Sequence, residues 1–187
     1  MNIFNLLNKK NDNKVEKKSE CNDKQKFVDT NISDTDNIFN NLIYNGAWFG
    51  KCNISFLGKN YIVDFQVDGY SEKDEILDNQ KIAFDMFIKN SKELEISILD
   101  EILLYYNKIK HQYGYDVENN DNYPCVNDSK ELISMIDLVG ITLPYPENSN
   151  DRYISLVFNC TWDLENGVGV RLSNEKVVEV GFQDIAL

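Results

Sequence analysis

The sequence predicts an α+β domain in which an antiparallel sheet, built from an N-terminal hairpin and C-terminal strands, carries two or three helices on one face. Three observations predict it. Aromatic and β-branched residues alternate over 51–66, apolar residues recur at helical spacing over 74–109, and strand-like segments return from residue 138 onward. This order of elements, with two strands followed by helices and then four strands, is typical of α+β domains.

The predicted hairpin spans Lys51 to Gln66 and turns at 57–60, a segment that contains Gly58 and Asn60. Gly and Asn accept the positive φ values that tight hairpin turns require. Because side chains alternate between the two faces of a strand, the apolar residues of both strands should share one buried face. They are Ile54, Phe56, Tyr61, Val63 and Phe65.

The helical spacing begins near Asp74 and is interrupted at Asn90-Ser91, where a new helix can be capped. Two helices are therefore favoured over one long helix. The only histidine, His111, is expected to be a solvated residue at the end of the second helix, where it interacts favourably with the helix dipole.

The C-terminal third is predicted to be mostly strand. A loop rich in Gly, Asn, Asp and Tyr follows His111, and Asp128-Ser129 then caps a short helix over Lys130 to Met135. Four strands are predicted after it, over 138–143, 153–160, 167–172 and 176–182. The short turn at 173–175 makes the last two strands an antiparallel pair.

Composition separates residues 1–37 from residues 38–187. The first segment has seven lysines and seven acidic residues, whereas the second has twelve basic and twenty-four acidic residues and carries the whole net charge of −12. Val15 and Cys21 are the only apolar side chains between Asn8 and Lys26, too few to offset the entropy of ordering this segment. We therefore predict a flexible tail over 1–37 and a single domain over 38–187.

Deleting residues 1–37 should leave the thermal midpoint of the domain almost unchanged, because this segment offers little apolar surface to bury and has no net charge. Calorimetry of the full chain and of the shortened chain measures the difference. A fall of more than about 5 °C, the size expected for a loss of about 1–2 kcal/mol, would show that the segment is docked on the domain.

The charge and the N-terminal sequence exclude several classes of protein. A net charge of −12 and a pI near 4.5 argue against binding to nucleic acid, which requires Lys and Arg, or to an anionic membrane surface. We find no signal sequence and no apolar run long enough for a membrane helix, and expect a cytoplasmic protein. Its four cysteines are expected to be reduced thiols, with Cys160 buried in a strand.

Three motifs follow one another near the C-terminus: C-T-W-D over 160–163, G-x-G-V over 167–170 and V-V-E-V-G-x-Q-D over 177–184. Together with Trp48 ahead of the G-K-x-Y hairpin, Gln80 at a helix start and Tyr105-Tyr106, they resemble an uncharacterised family of bacterial domains, a domain of unknown function. The resemblance covers about residues 46–187. It implies a small acidic cytoplasmic protein, associates it with immunity proteins and interaction modules, and implies no activity.

Trp162 and Asp163 are the leading candidate binding residues, since an aromatic side chain beside a carboxylate at a strand end is common in binding surfaces. Asp184 in the last motif is the third candidate. For the first two a structural role is favoured: Asp163 would accept backbone N–H groups in a turn, and Trp162 would cover the core.

No catalytic motif is present in the sequence, and no catalytic residue, metal site or cofactor is expected. G-x-S-x-G and H-E-x-x-H do not occur, and the G-x-G at 167–169 lacks the third glycine of a dinucleotide-binding loop. The carboxylates of Asp74, Glu75 and Asp78 could form a glycosidase pair or a calcium site, but they begin a predicted helix, where acids stabilise the dipole, and they match no calcium loop.

We therefore expect a non-enzymatic protein-binding module whose acidic surface engages a basic protein partner, with toxin immunity as one form of that role. The alternative is an enzyme of unrecognised type that uses carboxylates near Asp163 and Asp184, which would show a concave pocket with polar groups of shifted pKa. A third reading, a subunit of a larger assembly, would require an exposed apolar patch. The sequence sets neither the oligomeric state nor whether the charge serves only solubility.

Overall fold

The computed structural model describes residues 38–116, 120–148 and 150–187, so the predicted tail over 1–37 lies outside the described residues. The strands form one sheet in the order β1-β2-β3-β4-β5-β6-β7. They are β1 Ile43–Tyr44, β2 Trp48–Phe56, β3 Lys59–Val67, β4 Ile136–Leu143, β5 Tyr153–Cys160, β6 Val168–Ser173 and β7 Lys176–Gly181. Helices α1 (Asp78–Lys89) and α2 (Ser91–Gln112) lie between β3 and β4, and 3-10 helices span Ser129–Ser134 and Gln183–Ala186. The predicted α+β class is confirmed.

The predicted hairpin is confirmed, with longer strands and a tighter turn than expected. β2 and β3 pair antiparallel and have nine residues each. Only Leu57 and Gly58 form the turn, with φ values of 51° and 72°. Two successive positive φ values are those of a type I′ turn, whose twist matches that of the strands. Leu57 is held in this conformation because its N–H donates to the Glu95 carboxylate at 2.8 Å and its side chain is buried.

One strand pairing contradicts the predicted antiparallel sheet. β3 and β4 are parallel, in a register that pairs Asp64 with Gly140 and Val67 with Leu143, whereas the other neighbouring strands are antiparallel. A short turn forces antiparallel pairing, but a long connection can return the chain to the starting end of the sheet. Here two α-helices, a loop and the 3-10 helix Ser129–Ser134 connect β3 to β4, and the sheet is therefore mixed.

The helix break predicted at residues 90–91 is confirmed. α1 packs on the hairpin: the ring centroids of Phe84 and Phe65 are 5.0 Å apart, and those of Phe87 and Phe56 are 5.7 Å apart. The apolar side chains that α2 buries are Leu94, Ile98, Leu99, Ile102, Tyr106 and Ile109. Both helices thus contribute to a core that continues into the sheet.

Gln80 fixes the start of α1 to the ends of β3 and β4, although its side chain is polar and only 3% exposed. Its Nε2 donates to the carbonyl oxygens of Asp68, Leu143 and Pro144 at 3.0, 3.1 and 3.3 Å. Its Oε1 accepts the N–H of Leu77 at 3.1 Å. One amide therefore satisfies carbonyls at the end of the parallel pair and a free N–H at the helix start.

The C-terminal elements agree closely with the predicted ones. The short helix over 129–134 is a 3-10 helix, and the carboxylate of Asp128 caps it by accepting the N–H of Lys130 at 2.9 Å. β6 and β7 are joined at Asn174 and Glu175, whose φ values are 48° and 61°. The Glu175 carboxylate also accepts two hydrogen bonds from the Arg152 guanidinium, each 2.8 Å long, which ties this turn to the start of β5.

Candidate functional site

The predicted pair Trp162 and Asp163 lies in the turn after β5. Trp162 is 7% exposed, and its ring packs edge-on against Tyr106 with centroids 4.9 Å apart. The Asp163 carboxylate accepts the backbone N–H of Asn166 at 3.0 Å and its side-chain amide at 2.9 Å. These contacts are the structural ones that the sequence favours, and a binding role for the two residues stays a prediction.

Asp184, the third candidate, is exposed in the C-terminal 3-10 helix. Its neighbour Gln183 donates a backbone N–H to the Asn166 carbonyl at 3.1 Å, so this helix lies beside the turn that contains Asp163. The structure therefore places the segments that carry Asp163 and Asp184 side by side.

The two glycines of the G-x-G-V motif allow the C-terminal 3-10 helix to lie close to the sheet. Gly167 has a φ of 59°, and a Cβ at this position would lie 2.5 Å from the Phe158 carbonyl oxygen. A Cβ at Gly169 would lie 2.8 Å from the Phe182 carbonyl oxygen and 2.8 Å from Ile185. Close approach of the chain explains both glycines, and no phosphate loop is needed to explain them.

A groove of about 240 Å³ lies between α2 and β7. We call it the α2–β7 groove. Its walls are Glu101, Leu104, Tyr105 and Lys108 of α2 and Val177, Val178, Glu179 and Val180 of β7. The four helical residues share one face because of their spacing, and β7 is the last strand of the sheet, so its outer edge borders the groove.

The groove exposes apolar side chains on both of its walls. Leu104 is 64% exposed and Val178 is 59% exposed. In contrast, Tyr105 is half-buried, and its ring packs edge-on against Phe182 with centroids 6.5 Å apart. Burial, with a further contribution from the nearby Asp163 carboxylate, raises the pKa of Tyr105 above its ordinary range, so its hydroxyl remains neutral near pH 7.

The two edges of the sheet differ. β1 has two residues, a length that leaves little backbone for another chain to pair with, whereas β7 has six. In the described residues, the backbone groups of β7 form hydrogen bonds to β6 and to no other segment. The backbone of β7 is therefore paired with another strand on one side only.

Among the described residues, three charged side chains line the groove, and two of them are acidic. Glu101 and Lys108 are exposed on α2, and Glu179 is exposed on β7. The Glu179 carboxylate accepts a hydrogen bond from the Arg171 guanidinium at 3.2 Å, an exposed pair that contributes little to stability. The predicted candidates Asp163 and Asp184 do not line this groove.

A stack of tyrosines that the sequence reasoning missed extends from the core to the surface. The rings of Tyr106 and Tyr123 are 5.9 Å apart, and those of Tyr123 and Tyr115 are 4.8 Å apart, both in stacked geometry. Tyr113 lies edge-on to the last two. The only signal was the high density of tyrosines in the predicted loop after His111, which packing converts into one cluster.

The placement of His111 agrees with the prediction. It lies in the last turn of α2 with an exposed side chain, and its Nδ1 is 2.6 Å from the Asp116 carboxylate. No cluster of three or more His, Cys, Asp or Glu side chains in the described residues could hold a metal ion. Of the helices in the same residues, none combines the length and the apolar character needed to cross a membrane.

Comparison with protein families confirms that the chain contains a domain of unknown function. A family model described as Domain of unknown function (DUF6985) matches residues 38–187. The match includes all the strands of the sheet, both helices and the α2–β7 groove. No curated protein and no solved structure matches the chain.

Proposed function

The chain belongs to the family described as Domain of unknown function (DUF6985), and from that premise we propose that it is a non-enzymatic protein-binding module whose acidic surface engages a basic protein partner. Toxin immunity is one form of this role. The observation that carries the proposal is the α2–β7 groove, where exposed apolar side chains and an unpaired strand edge lie beside exposed carboxylates.

The exposed apolar residues support binding through this groove. Leu104 and Val178 come from different elements and line the same groove, whereas apolar residues scattered singly over a surface need no explanation. An extended segment of a partner could pair with the outer edge of β7 and place its apolar side chains against these two residues. Backbone pairing would supply affinity, and the groove walls would supply specificity.

The charge of the domain supports a basic partner. Residues 38–187 have twice as many acidic residues as basic ones, and Glu101 and Glu179 place carboxylates on both walls of the groove. A partner rich in Lys or Arg would be attracted over a distance set by the salt concentration, and its association would be accelerated. No catalytic group is required for such a role.

We also propose that both helices cover one face of the sheet, as the sequence predicts. Phe56 of β2 and Phe65 of β3 contact α1 on this face. Side chains alternate between the two faces of a strand, so Lys51 and Asp64, which form an ion pair with each other, lie on the opposite face. With the helices on the first face, the partner approaches the outer edge of β7 and the adjoining wall of α2.

The first test uses capture from a lysate of the source cells. The immobilised full chain is compared with the double variant Leu104→Ser/Val178→Ser and with the control Ile96→Ser/Ile62→Ser. The control is matched because Ile96 lies on α2 and Ile62 on a strand, and they are 60% and 63% exposed. We expect a basic protein to be retained by the wild-type chain and by the control but not by the groove variant. Equal retention by all three chains would contradict binding in the groove.

The captured partner then allows a test of the charge. We expect the association rate to fall steeply as the salt concentration rises past about 0.1–0.15 M, where the Debye length is about 8–10 Å, while the dissociation rate changes much less. Stopped-flow mixing at low and high salt measures both rates. An association rate that does not respond to salt would leave solubility as the explanation of the acidity.

A further inference from the structure

Lys110, near the end of α2, is a buried lysine, with an exposure of only 7%. In the described residues it takes part in no ion pair with a carboxylate. Its Nζ is 3.5 Å from the Pro124 carbonyl oxygen, which already accepts a shorter bond of 2.6 Å from the Tyr106 hydroxyl. A charged side chain as buried as this one is costly without a strong acceptor or a negative partner.

The second hydrogen-bond partner of this ammonium group is a thiol. The Nζ atom of Lys110 lies 3.6 Å from the Sγ atom of Cys125. Cys125 is a free cysteine in an exposed position, whereas Lys110 is buried. A thiol reacts through its anion, and a neighbouring positive charge stabilises that anion.

The other described cysteines differ from Cys125 in the respects that govern reactivity. Cys52 and Cys160 are both buried in strands. Burial raises the pKa of each of these thiols to about 12, so their anions are scarce at neutral pH. Cys52 and Cys160 are therefore internal controls for the reactivity of Cys125.

We propose that Cys125 and Lys110 form a modification site that is sensitive to hydrogen peroxide. The thiolate of Cys125 attacks one peroxide oxygen, an S–O bond forms as the O–O bond breaks, and the departing hydroxide takes a proton from solvent to become water. The sulfur is oxidised to a sulfenic acid and the peroxide is reduced. Lys110 is a positioning residue: its ammonium group stabilises the thiolate before the reaction and donates to the oxygen of the sulfenic acid afterwards. This site does not depend on the proposed binding function.

The test exposes the full chain to hydrogen peroxide in native buffer and traps sulfenic acid with dimedone. Peptide mass spectrometry then locates the adduct. Every sample carries Cys21→Ser, because Cys21 lies outside the described residues. We expect the adduct at Cys125 and none at Cys52 or Cys160 until the chain is denatured. An unreactive Cys125 in the folded chain, or equal labelling of all three thiols, would overturn the proposal.

Variants of the lysine separate its role from that of simple exposure. Lys110→Met keeps an unbranched apolar stem and removes the charge, and we expect Cys125 to be oxidised roughly tenfold more slowly, because the positive charge 3.6 Å from its sulfur is lost. Lys110→Arg retains the charge and should restore most of the rate. Lys92→Met, at an exposed position near the start of α2, is the control and should leave the rate unchanged. Equal rates for Lys110→Met and the wild-type chain would overturn the role assigned to Lys110, whereas the wild-type labelling pattern tests the reactivity of Cys125 whether or not a variant folds.

Discussion

Replacing Trp162 with alanine is expected to lower the free energy of unfolding by about 3–5 kcal/mol, because it removes a large buried ring and leaves a cavity. Trp162 is 7% exposed, and its neighbour Tyr106, 4.9 Å away between ring centroids, is fully buried. Tyr106 is also fixed by its hydroxyl, which donates to the Pro124 carbonyl at 2.6 Å, so it cannot easily move to fill the space.

Equilibrium unfolding in urea or guanidinium chloride measures this loss for the wild-type chain and the variant. Trp48→Ala is the matched control, since Trp48 is half-buried and packs against Tyr44 in the two-residue strand β1. We expect a smaller loss for the control. An unchanged midpoint for Trp162→Ala would mean that the ring does not support the core, and would favour a binding role for Trp162.

The sequence predicts the turns and the helix break that depend on residues close together in the chain. The hairpin turn at 57–58 requires positive φ values, the helix break at 90–91 falls between two periodic segments, and the turn at 174–175 joins two strand-like runs. Each of these features is decided by residues close together in the chain. The parallel pairing of β3 with β4 is not of this kind, because it depends on the path of a long connection.

The groove could not be predicted for a similar reason, since Leu104 and Val178 lie far apart in the sequence and only the docking of α2 beside β7 brings them together. One signal was present. Val177 and Val178 are consecutive apolar residues in a strand, and strict alternation cannot bury both. The structure has a register shift between β6 and β7 at this point, and Val178 is exposed.

Gln80 shows the limit of hydrophobic patterns. The pattern predicts the helix that contains it, and the resemblance places Gln80 at a helix start, but neither indicates that a polar side chain is among the most buried residues of the domain. Its role depends on Asp68 and Leu143, at the ends of two strands whose parallel pairing was itself unexpected. Because the parallel pairing of β3 with β4 was not predicted, the role of Gln80 at the ends of these strands was not predicted either.

Gln80→Glu and Gln80→Ala should each lower the free energy of unfolding by about 2–4 kcal/mol, because buried polar groups lose their partners. The Leu143 carbonyl retains a bond from the Asp68 N–H at 3.0 Å, but the Asp68 carbonyl and the Leu77 N–H depend on Gln80. Gln80→Glu separates hydrogen bonding from packing at pH 7: it preserves the size of the side chain but replaces the donor amide with a carboxylate oxygen that faces carbonyl oxygens.

Asp85→Ala, at an exposed position of the same helix, is the control and should change the stability by no more than about 0.5 kcal/mol. Denaturant unfolding compares the four chains, and a Gln80→Glu chain as stable as the wild type would show that side-chain volume, and not the amide donor, holds α1 against the ends of β3 and β4.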